Sequence, residues 1–229
     1  MRPSLGTLPA PQALVLDLDG TLADTVGQRI EAWLRTFAEV RLAADRDHVA
    51  RLIGSDGRRL AREVAGVSGH VLDDEQAEAI DRRAGELYSQ LNTDPRPLPG
   101  ARPLLRALER GRLRWAIATS SRAEQVMASV DALHLSRRPM IVDGSHVSQA
   151  KPAPDLLLVA ADRLAVAPGE AWCVGDATWD MLAAKAAGMV ALGVPSGAVG
   201  REALFGAGAD AVAGLRALHS DLRRRRLLD

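Results

Sequence analysis

The sequence is poor in the features that mark a secreted or membrane protein. Its single cysteine, Cys173, allows no disulfide within the chain, and the apolar run "AWCV" around it predicts a buried thiol. Apolar runs stay below the roughly 18 residues of a membrane span, and the opening "MRPSLGTLPAPQ" lacks the apolar region of a signal peptide. These absences predict a cytoplasmic protein that does not associate with a membrane.

The chain also lacks net charge, because 29 basic residues balance 29 acidic ones. Proteins that bind nucleic acid usually carry a basic surface, so nucleic acid is not expected as the main ligand. The run Arg223 to Arg226 is interpreted as a solvated tail. Lysine is scarce, since only Lys151 and Lys185 are lysines, and a lysine at a functional position therefore indicates a need for a compact ammonium group.

The composition, with 47% hydrophobic and 25% charged residues in a chain of 229, is that of a globular protein with a substantial core. From residue 101 onward, helical and strand patterns alternate. Helices are predicted over 101–110, 122–134, 154–165 and 179–188, and strands over 113–119, 140–142, 171–175, 189–193 and 210–213. With a first strand from Ala13, this alternation predicts an α/β protein with a Rossmann-like parallel sheet covered by helices.

Residues 27–93 differ from the rest, because they contain helical patterns and little that is typical of a strand. Ile30, Trp33 and Phe37 have the spacing of one helix face, and "DDEQAEAIDRRAGELYSQL" begins with acidic residues that favour a helix start. The proline-rich stretch "DPRPLPG" marks the return to the sheet. We therefore predict a core domain of residues 1–26 and 94–229, with an inserted helical domain of residues 27–93.

Two carboxylates, Asp17 and Asp19, stand near the end of the first strand in "ALVLDLDGTLADT". Their side chains are expected on the same side if the strand continues as far as Asp19. Neighbouring carboxylates ionise together at a high cost unless a cation neutralises them or one stays protonated. The alternative interpretation is structural, with Asp19-Gly20-Thr21 as a turn and Asp17 partly solvated.

Polar groups also follow a second strand, at the edge where open parallel sheets bind their ligands. Thr119 and Ser120, with the amides after them, are candidates to hold an anion at a helix N-terminus. Ser121 stands three residues before Glu124, which is the spacing of a capping box. Ser121 is therefore interpreted as a helix cap.

Three more candidates lie further along the chain. Lys151 in "QAKPAPD" precedes Pro152, which predicts an extended segment outside the next helix. It is either a solvated loop residue or a specifically required cation. Asp176 and Asp180 follow the strand "AWCV", and Asp180 is alternatively a helix cap. Together with Asp17, these two carboxylates predict a hard oxygen site that suits Mg²⁺.

The segments "DLDGT", "ATSS", "KPAPD" and "GDATWD" resemble, in order, the four motifs of the haloacid dehalogenase-like phosphohydrolases. The insertion after the first motif is similar to the helical cap of the branch that contains phosphoglycolate phosphatases and β-phosphoglucomutases. The resemblance implies a phosphatase that hydrolyses a small phosphorylated metabolite through an aspartyl phosphate. It also implies a cap over the active site.

The resemblance further implies a role for each motif residue. Asp17 is the expected nucleophile and Asp19 the expected general acid and base. Lys151 is expected to neutralise Asp17 and the phosphoryl group, and phosphate oxygens are expected on Thr119, Ser120 and Lys151. The implied Mg²⁺ ligands are Asp17, Asp19 through its backbone carbonyl, and Asp176, with Asp180 supporting either the metal or Lys151.

The sequence leaves two other functions open. A phosphomutase of the β-phosphoglucomutase type would use the same residues and pass the phosphoryl group to a second sugar hydroxyl instead of water. A catalytically retired binding module would have lost a motif residue, and none is lost here. Carbon–halogen chemistry is disfavoured, because the dehalogenases of this superfamily lack the second aspartate of the first motif.

Substrate choice is expected to lie in the cap, because the motifs themselves contact phosphate and metal. The loop "IGSDGRR", with Arg58 and Arg59, and the helix face around Trp33 are the candidates. Arg58 and Arg59 are equally compatible with solvated helix positions. The segment "GAGADA", Gly206 to Ala211, fits a dinucleotide-binding pattern, but it lies just before the last strand and is interpreted as a loop.

Overall fold

The structure, a computed structural model, describes residues 4–228. Within that range, eight strands and ten α-helices follow one another along the chain. The strands are β1 (Ala13–Leu16), β2 (Ala23–Asp24), β3 (Arg96–Pro97), β4 (Arg114–Ala118), β5 (Ile141–Val142), β6 (Ala171–Gly175), β7 (Val190–Gly193) and β8 (Ala211–Val212). The helices are α1 (Val26–Glu39), α2 (Arg46–Leu52), α3 (Gly57–Val67), α4 (Asp74–Leu91), α5 (Ala101–Arg110), α6 (Ala123–Ala132), α7 (Asp155–Arg163), α8 (Thr178–Ala186), α9 (Arg201–Gly206) and α10 (Leu215–Arg224).

Six of the strands form one parallel sheet in the order β5-β4-β1-β6-β7-β8. The first strand lies in the middle, where Leu14 is paired with Trp115 on one side and with Trp172 on the other. This topology confirms the predicted α/β fold with a parallel, Rossmann-like sheet. It also brings the carboxyl ends of β1, β4 and β6 together at one edge.

Both faces of the sheet are buried, which explains why β1 is apolar at every position. Leu14 and Leu16 pack into a cluster that includes side chains of α5, α6 and α10. Ala13 and Val15 point to the other face and pack with α7, α8 and α9. Cys173 is 1% exposed in this second layer, as the sequence predicted.

The helices α1 to α4 lie between β2 and β3, a short antiparallel pair. Apolar positions with helical spacing, including Ile30, Trp33 and Phe37, pack with α2, α3 and α4 in a cluster of their own. We call α1 to α4 and the loops between them the helical insert. Its role as a separate cap domain of residues 27–93 stays a prediction.

The C-terminal part of the chain corrects one interpretation. Arg223 and Arg224 end α10, and Arg225 is not a solvated tail residue. Its guanidinium donates to Asp221 at 2.6 Å and to the Leu8 backbone carbonyl at 3.0 Å. The sequence pattern did not predict α9 or α10, and Gly206, in the "GAGADA" segment, is the last residue of α9, so this segment is not a loop throughout. Among the described residues, the helices are too short or too polar to cross a bilayer.

Candidate active site

The first motif places Asp17 and Asp19 differently from the alternation argument. Strand β1 ends at Leu16, and the Asp17 amide still donates to the Val174 carbonyl at 2.8 Å. The chain then turns, because the Leu18 carbonyl accepts the amides of both Leu22 and Ala23 at 2.9 Å. Asp19 therefore lies beyond the strand, bridged to Ala23 across this turn, so the condition under which strand alternation would set its direction is not met. Both carboxylates nevertheless line one pocket.

Lys151 is a buried cation rather than a solvated loop residue, with 1% of its surface exposed. Its ammonium nitrogen lies 2.6 Å from Asp17 Oδ1, 2.7 Å from Asp180 Oδ1 and 2.9 Å from the Ala118 carbonyl. Burial opposes the charge, but the two carboxylates hold the pKa of Lys151 above its usual range. The ammonium thus contacts groups at the carboxyl ends of β1 and β4 and in the first turn of α8.

Three buried carboxylates, those of Asp17, Asp176 and Asp180, have oxygens within 4.8 Å of one another. Burial raises the pKa of Asp17 to about 7, and the Asp180 charge adds to the rise while Lys151 opposes it. Burial, with the charges of Asp17 and Asp180, raises the pKa of Asp176 well above its ordinary value, against the opposing effects of Thr21 and Lys151. One ammonium faces three carboxylates, so this cluster has an excess of negative charge that a divalent cation would relieve.

Asp176 is closely fitted into its place. Its Oδ1 accepts a hydrogen bond of 2.7 Å from the Thr21 hydroxyl. A side chain at Gly20, which has φ of 85°, would put a Cβ 2.3 Å from Asp176 Oδ2, and one at Gly197 would put a Cβ 1.7 Å from the same oxygen. Glycine is therefore needed at both positions. Thr21 and Gly197 were not among the sequence-predicted site residues.

Asp180 supports the lysine and its own helix. Its Oδ1 is the Lys151 partner, and its Oδ2 accepts the Ala177 amide at 3.0 Å, at the start of α8. Both interpretations of Asp180 from the sequence, a helix cap and a member of the charged site, describe part of what it does.

Asp19 lies in a very different environment from Asp17. Its Oδ1 accepts hydrogen bonds from the Thr25 hydroxyl at 2.6 Å and the Tyr88 hydroxyl at 2.8 Å. Its Oδ2 accepts one from the Arg29 guanidinium at 2.8 Å and lies 3.4 Å from the Ser121 hydroxyl. Burial opposes ionisation, but Arg29 and these donors hold the pKa of Asp19 below its usual range.

The segment after β4 also lines the pocket. Thr119 is buried, and the Ser120 hydroxyl donates to the Gly54 carbonyl of the helical insert at 3.1 Å. The interpretation of Ser121 as a helix cap is wrong, because α6 begins at Ala123 and the residue at its N-cap is Arg122, whose amide donates to Gln125. Ser121 instead accepts a 2.5 Å hydrogen bond from Arg29.

The helical insert contributes one of the three specificity candidates to the pocket wall. Trp33 lines the pocket and stacks on Phe37, with ring centroids 5.5 Å apart. Arg58 and Arg59 do not line it, because both lie on α3 and face a wider groove on the outside. Arg58 pairs with Asp56 and Arg59 with Glu63, both at 3.0 Å.

Other pocket residues were missed by the sequence. Arg29 and Tyr88 face Asp19, and the Arg29 guanidinium carbon lies 3.4 Å from the centre of the Tyr88 ring. Asp81 also lines the pocket, and burial raises its pKa to about 6. A helical pattern identifies the face that is buried, but not which polar side chain on that face meets the core, so local signals could not single out these residues.

Comparisons with known proteins agree with this geometry. A family model described as haloacid dehalogenase-like hydrolase matches residues 14–194. The chain is 34% identical over 209 residues to a phosphoglycolate phosphatase of Rhodospirillum rubrum, covering 88% of this chain and 86% of that protein. It is 31% identical over 196 residues to a β-phosphoglucomutase of Bacillus subtilis, covering 81% and 84%. A solved hydrolase from Pseudomonas syringae has a TM-score of 0.86 and 33% identity, covering 93% of this chain and 97% of that one.

Proposed function

The chain belongs to the haloacid dehalogenase-like hydrolases, and we propose that it is a Mg²⁺-dependent phosphatase that hydrolyses a small organophosphate monoester through an aspartyl phosphate. The observation that carries this proposal is the contact between the Lys151 ammonium and Asp17 at 2.6 Å, inside a buried cluster of carboxylates. A nucleophilic carboxylate must approach an anionic phosphoryl group, and a fixed cation beside both lowers the repulsion.

In the first step, an Asp17 oxygen attacks phosphorus and the ester P–O bond breaks. Asp19, when protonated, gives its proton to the leaving alkoxide, which departs as an alcohol. In the second step, the Asp19 carboxylate takes a proton from water as the water oxygen attacks the phosphorus of the aspartyl phosphate. Inorganic phosphate leaves and the Asp17 carboxylate is regenerated. Lys151, with Thr119 and Ser120, is proposed to hold the phosphoryl oxygens.

The residues present fit a divalent cation. Asp17 and Asp176 would hold Mg²⁺ together with the backbone carbonyl of Asp19, and Asp180 would hold Lys151 beside them. All donors are hard oxygens, and burial raises the pKa values of Asp17 and Asp176 although Lys151 opposes the rise, so the positive charge present does not offset the cost of ionising both carboxylates. When bound, the cation supplies charge neutralisation for the attacking carboxylate and the phosphoryl group.

We propose that the helical insert acts as a cap that closes over the leaving group. It contributes Arg29, Trp33 and Tyr88 to the same pocket that contains Asp17 and Asp19. The leaving group of the substrate would lie between these side chains, so the insert would choose among small phosphorylated metabolites. The relatives named as phosphoglycolate phosphatase and β-phosphoglucomutase support this class of substrate.

A panel of phosphorylated metabolites, assayed for phosphate release with Mg²⁺ and with EDTA, tests the proposal. We expect release with Mg²⁺ and loss of activity in EDTA. Isomerisation of a sugar phosphate that requires a sugar bisphosphate would favour the phosphomutase. Binding of phosphorylated ligands without any turnover would favour the retired binding module, and full activity in EDTA would contradict the role of the metal.

A further inference from the structure

The segment of the insert from Arg51 to Asp56 contacts the core loops that carry the proposed catalytic groups. Trp179, at the start of α8, donates through its indole N–H to the Arg51 carbonyl at 3.0 Å. The Ser120 hydroxyl donates to the Gly54 carbonyl at 3.1 Å. These bonds tie the insert to the loops that follow β6 and β4.

The third contact of this segment is with the backbone on both sides of the Lys151 Cα. The Asp56 amide donates to the Lys151 carbonyl at 2.8 Å, and Asp56 Oδ2 lies 3.4 Å from the Ala150 amide nitrogen. Arg58 donates to Asp56 Oδ2 at 3.0 Å and to the Ser148 carbonyl at 2.9 Å. Asp56 thus holds the Lys151 carbonyl through its backbone amide and the Ala150 amide through its carboxylate, and Arg58, which pairs with that carboxylate, holds the Ser148 carbonyl of the same loop.

The placement of that loop decides what Lys151 can do. The ammonium sits between Asp17 and Asp180 at 2.6 and 2.7 Å, so a displacement of the Lys151 backbone would lengthen these contacts unless the side chain compensated. Among the described residues, Lys151 itself lies in no helix or strand, since β5 ends at Val142, a 3-10 helix covers Gly144–His146 and α7 begins at Asp155. The hydrogen bonds from the insert therefore help to hold the backbone around Lys151, which no helical or sheet hydrogen bond holds.

We propose that Asp56 is a positioning residue, which sets the Lys151 ammonium in place when the helical insert lies against the core. Among the described residues, no hydrogen bond or ion pair joins Asp56 to Asp17, Thr119 or Ser120, so Asp56 acts on the site through Lys151. The inference rests on the proposed function, since it assumes that Lys151 assists the attack of Asp17. A side-chain variant keeps the bond from the Asp56 amide to the Lys151 carbonyl, so the prediction concerns the carboxylate, which contacts the Ala150 amide and Arg58. Losing this carboxylate should harm the chemical step more than substrate binding.

The kinetic test compares Asp56→Ala with Asp73→Ala. Both aspartates cap an insert helix, since Asp56 accepts the Arg59 amide at 3.2 Å and Asp73 accepts the Gln76 amide at 2.8 Å. We expect kcat to fall about 10- to 100-fold in Asp56→Ala with KM changed less than about 3-fold, because misplacement by roughly 1 Å can cost about 100-fold in rate. Asp73→Ala should lose a helix cap alone and keep wild-type kcat.

Acetylation of lysine with sulfo-NHS-acetate, followed by peptide mass spectrometry, gives a readout that does not depend on activity. The chain has two lysines, and Lys185, which is 46% exposed in its side chain, serves as the internal reference for the buried Lys151. Access to a buried amine depends on local opening. We expect Lys151 to react at least about tenfold faster in Asp56→Ala than in wild type or Asp73→Ala, with Lys185 unchanged.

Faster labelling of Lys151 together with the fall in kcat supports the proposal. Unchanged labelling of Lys151 overturns it, whether or not kcat falls, and so does an unchanged kcat in an active enzyme. If the wild type hydrolyses no phosphate ester, the proposed function fails and labelling alone decides the role of Asp56. If Asp56→Ala does not fold, two other variants replace it: Asp56→Asn, which keeps an acceptor oxygen, and Arg58→Ala. The rate of Lys151 labelling must then rise more in Arg58→Ala than in Asp56→Asn.

Discussion

Asp17 and Asp19 are two residues apart in the sequence, yet the structure surrounds them with opposite electrostatic environments. Around Asp17, three buried carboxylates face one ammonium, and burial raises the pKa of Asp17 to about 7. Around Asp19, hydrogen-bond donors occupy both carboxylate oxygens, and Arg29 helps to hold the pKa below its usual range despite burial. Asp17 shares one ammonium with two other carboxylates, whereas Asp19 has its own guanidinium and several hydroxyl donors.

The difference follows from which part of the molecule supplies the neighbours. Asp17 is surrounded by groups from the sheet edge, namely Lys151, Asp176 and Asp180. Asp19 is held mainly by α1, α4 and the residue before α1, which belong to or adjoin the helical insert. The core thus forms a site that favours a cation, whereas side chains in or next to the insert favour the ionised form of Asp19, the proposed acid and base. Variants on the two sides should therefore fail in different ways.

The largest effect is expected from Asp17→Asn. An amide cannot attack phosphorus, so phosphate release should fall by at least about 10⁴-fold. Stability should change in the opposite direction. The folded-state pKa of about 7 lies above the ordinary 3.8, so the carboxyl stabilises the fold at low pH and this contribution is lost as the pH rises through 7.

In EDTA at pH 8, Asp17→Asn should therefore melt about 2–4 °C above wild type. The difference should shrink at pH 5, where wild-type Asp17 is protonated, and should also shrink when Mg²⁺ stabilises the wild type. Melting curves in the four conditions check these signs. A variant that melts below wild type at pH 8 in EDTA would show that the Asp17 charge is not a cost to the fold.

The second effect in size is expected from Lys151→Arg, which keeps the charge and changes its shape. The ammonium contacts Asp17, Asp180 and the Ala118 carbonyl at once, and a planar guanidinium would displace one of them. We expect kcat to fall about 10²- to 10³-fold. Lys185→Arg is the matched control, because Lys185 is half-exposed and pairs with Asp210 at 2.7 Å. Equal, wild-type kcat in both variants would remove Lys151 from the mechanism.

The two sides of the site also differ in how well the sequence predicts them. The core side of the site was predictable, because parallel strands put their carboxyl ends at one edge, and the motif residues Asp17, Thr119 and Asp176 each follow a strand. Lysine scarcity further pointed to Lys151. The structure confirms the predicted sheet, and the five strands for which both ends were predicted have boundaries that match or differ by one residue.

The insert side could not be predicted in the same way. Arg29 and Tyr88 are separated by 59 positions, and they meet at Asp19 only because α1 packs against α4 above the sheet edge. Arg58 and Arg59, which their charge makes candidates for substrate recognition, line the outer groove instead. Arg225 was assigned to solvent because a run of arginines usually is solvated, but its partner Asp221 is buried. Contacts of this kind depend on tertiary packing, which leaves no periodic signal.

The smallest of the three effects is expected from Arg29→Gln, which tests the Asp19 side. Loss of a charge-assisted hydrogen bond should lower kcat about tenfold or more. The pH profile carries the specific signature. Since Arg29 helps to hold the pKa of Asp19 down, its removal should raise that pKa, and the ionised form needed to activate water would then be lost at a higher pH. The acidic limb of the kcat profile should therefore move to higher pH.

Arg83→Gln is the control for this variant, because Arg83 is also an insert arginine paired with a carboxylate, Glu39 at 2.7 Å, but on the outer surface. It should leave kcat and the pH profile unchanged. Arg29→Lys should keep part of the charge effect while losing the link between Asp19 and Ser121, and so should shift the limb less than Arg29→Gln does. A limb that stays in place, or moves to lower pH, in folded Arg29→Gln would mean that the insert does not control the ionisation of Asp19. The contrast between the two aspartates would then have no consequence for catalysis.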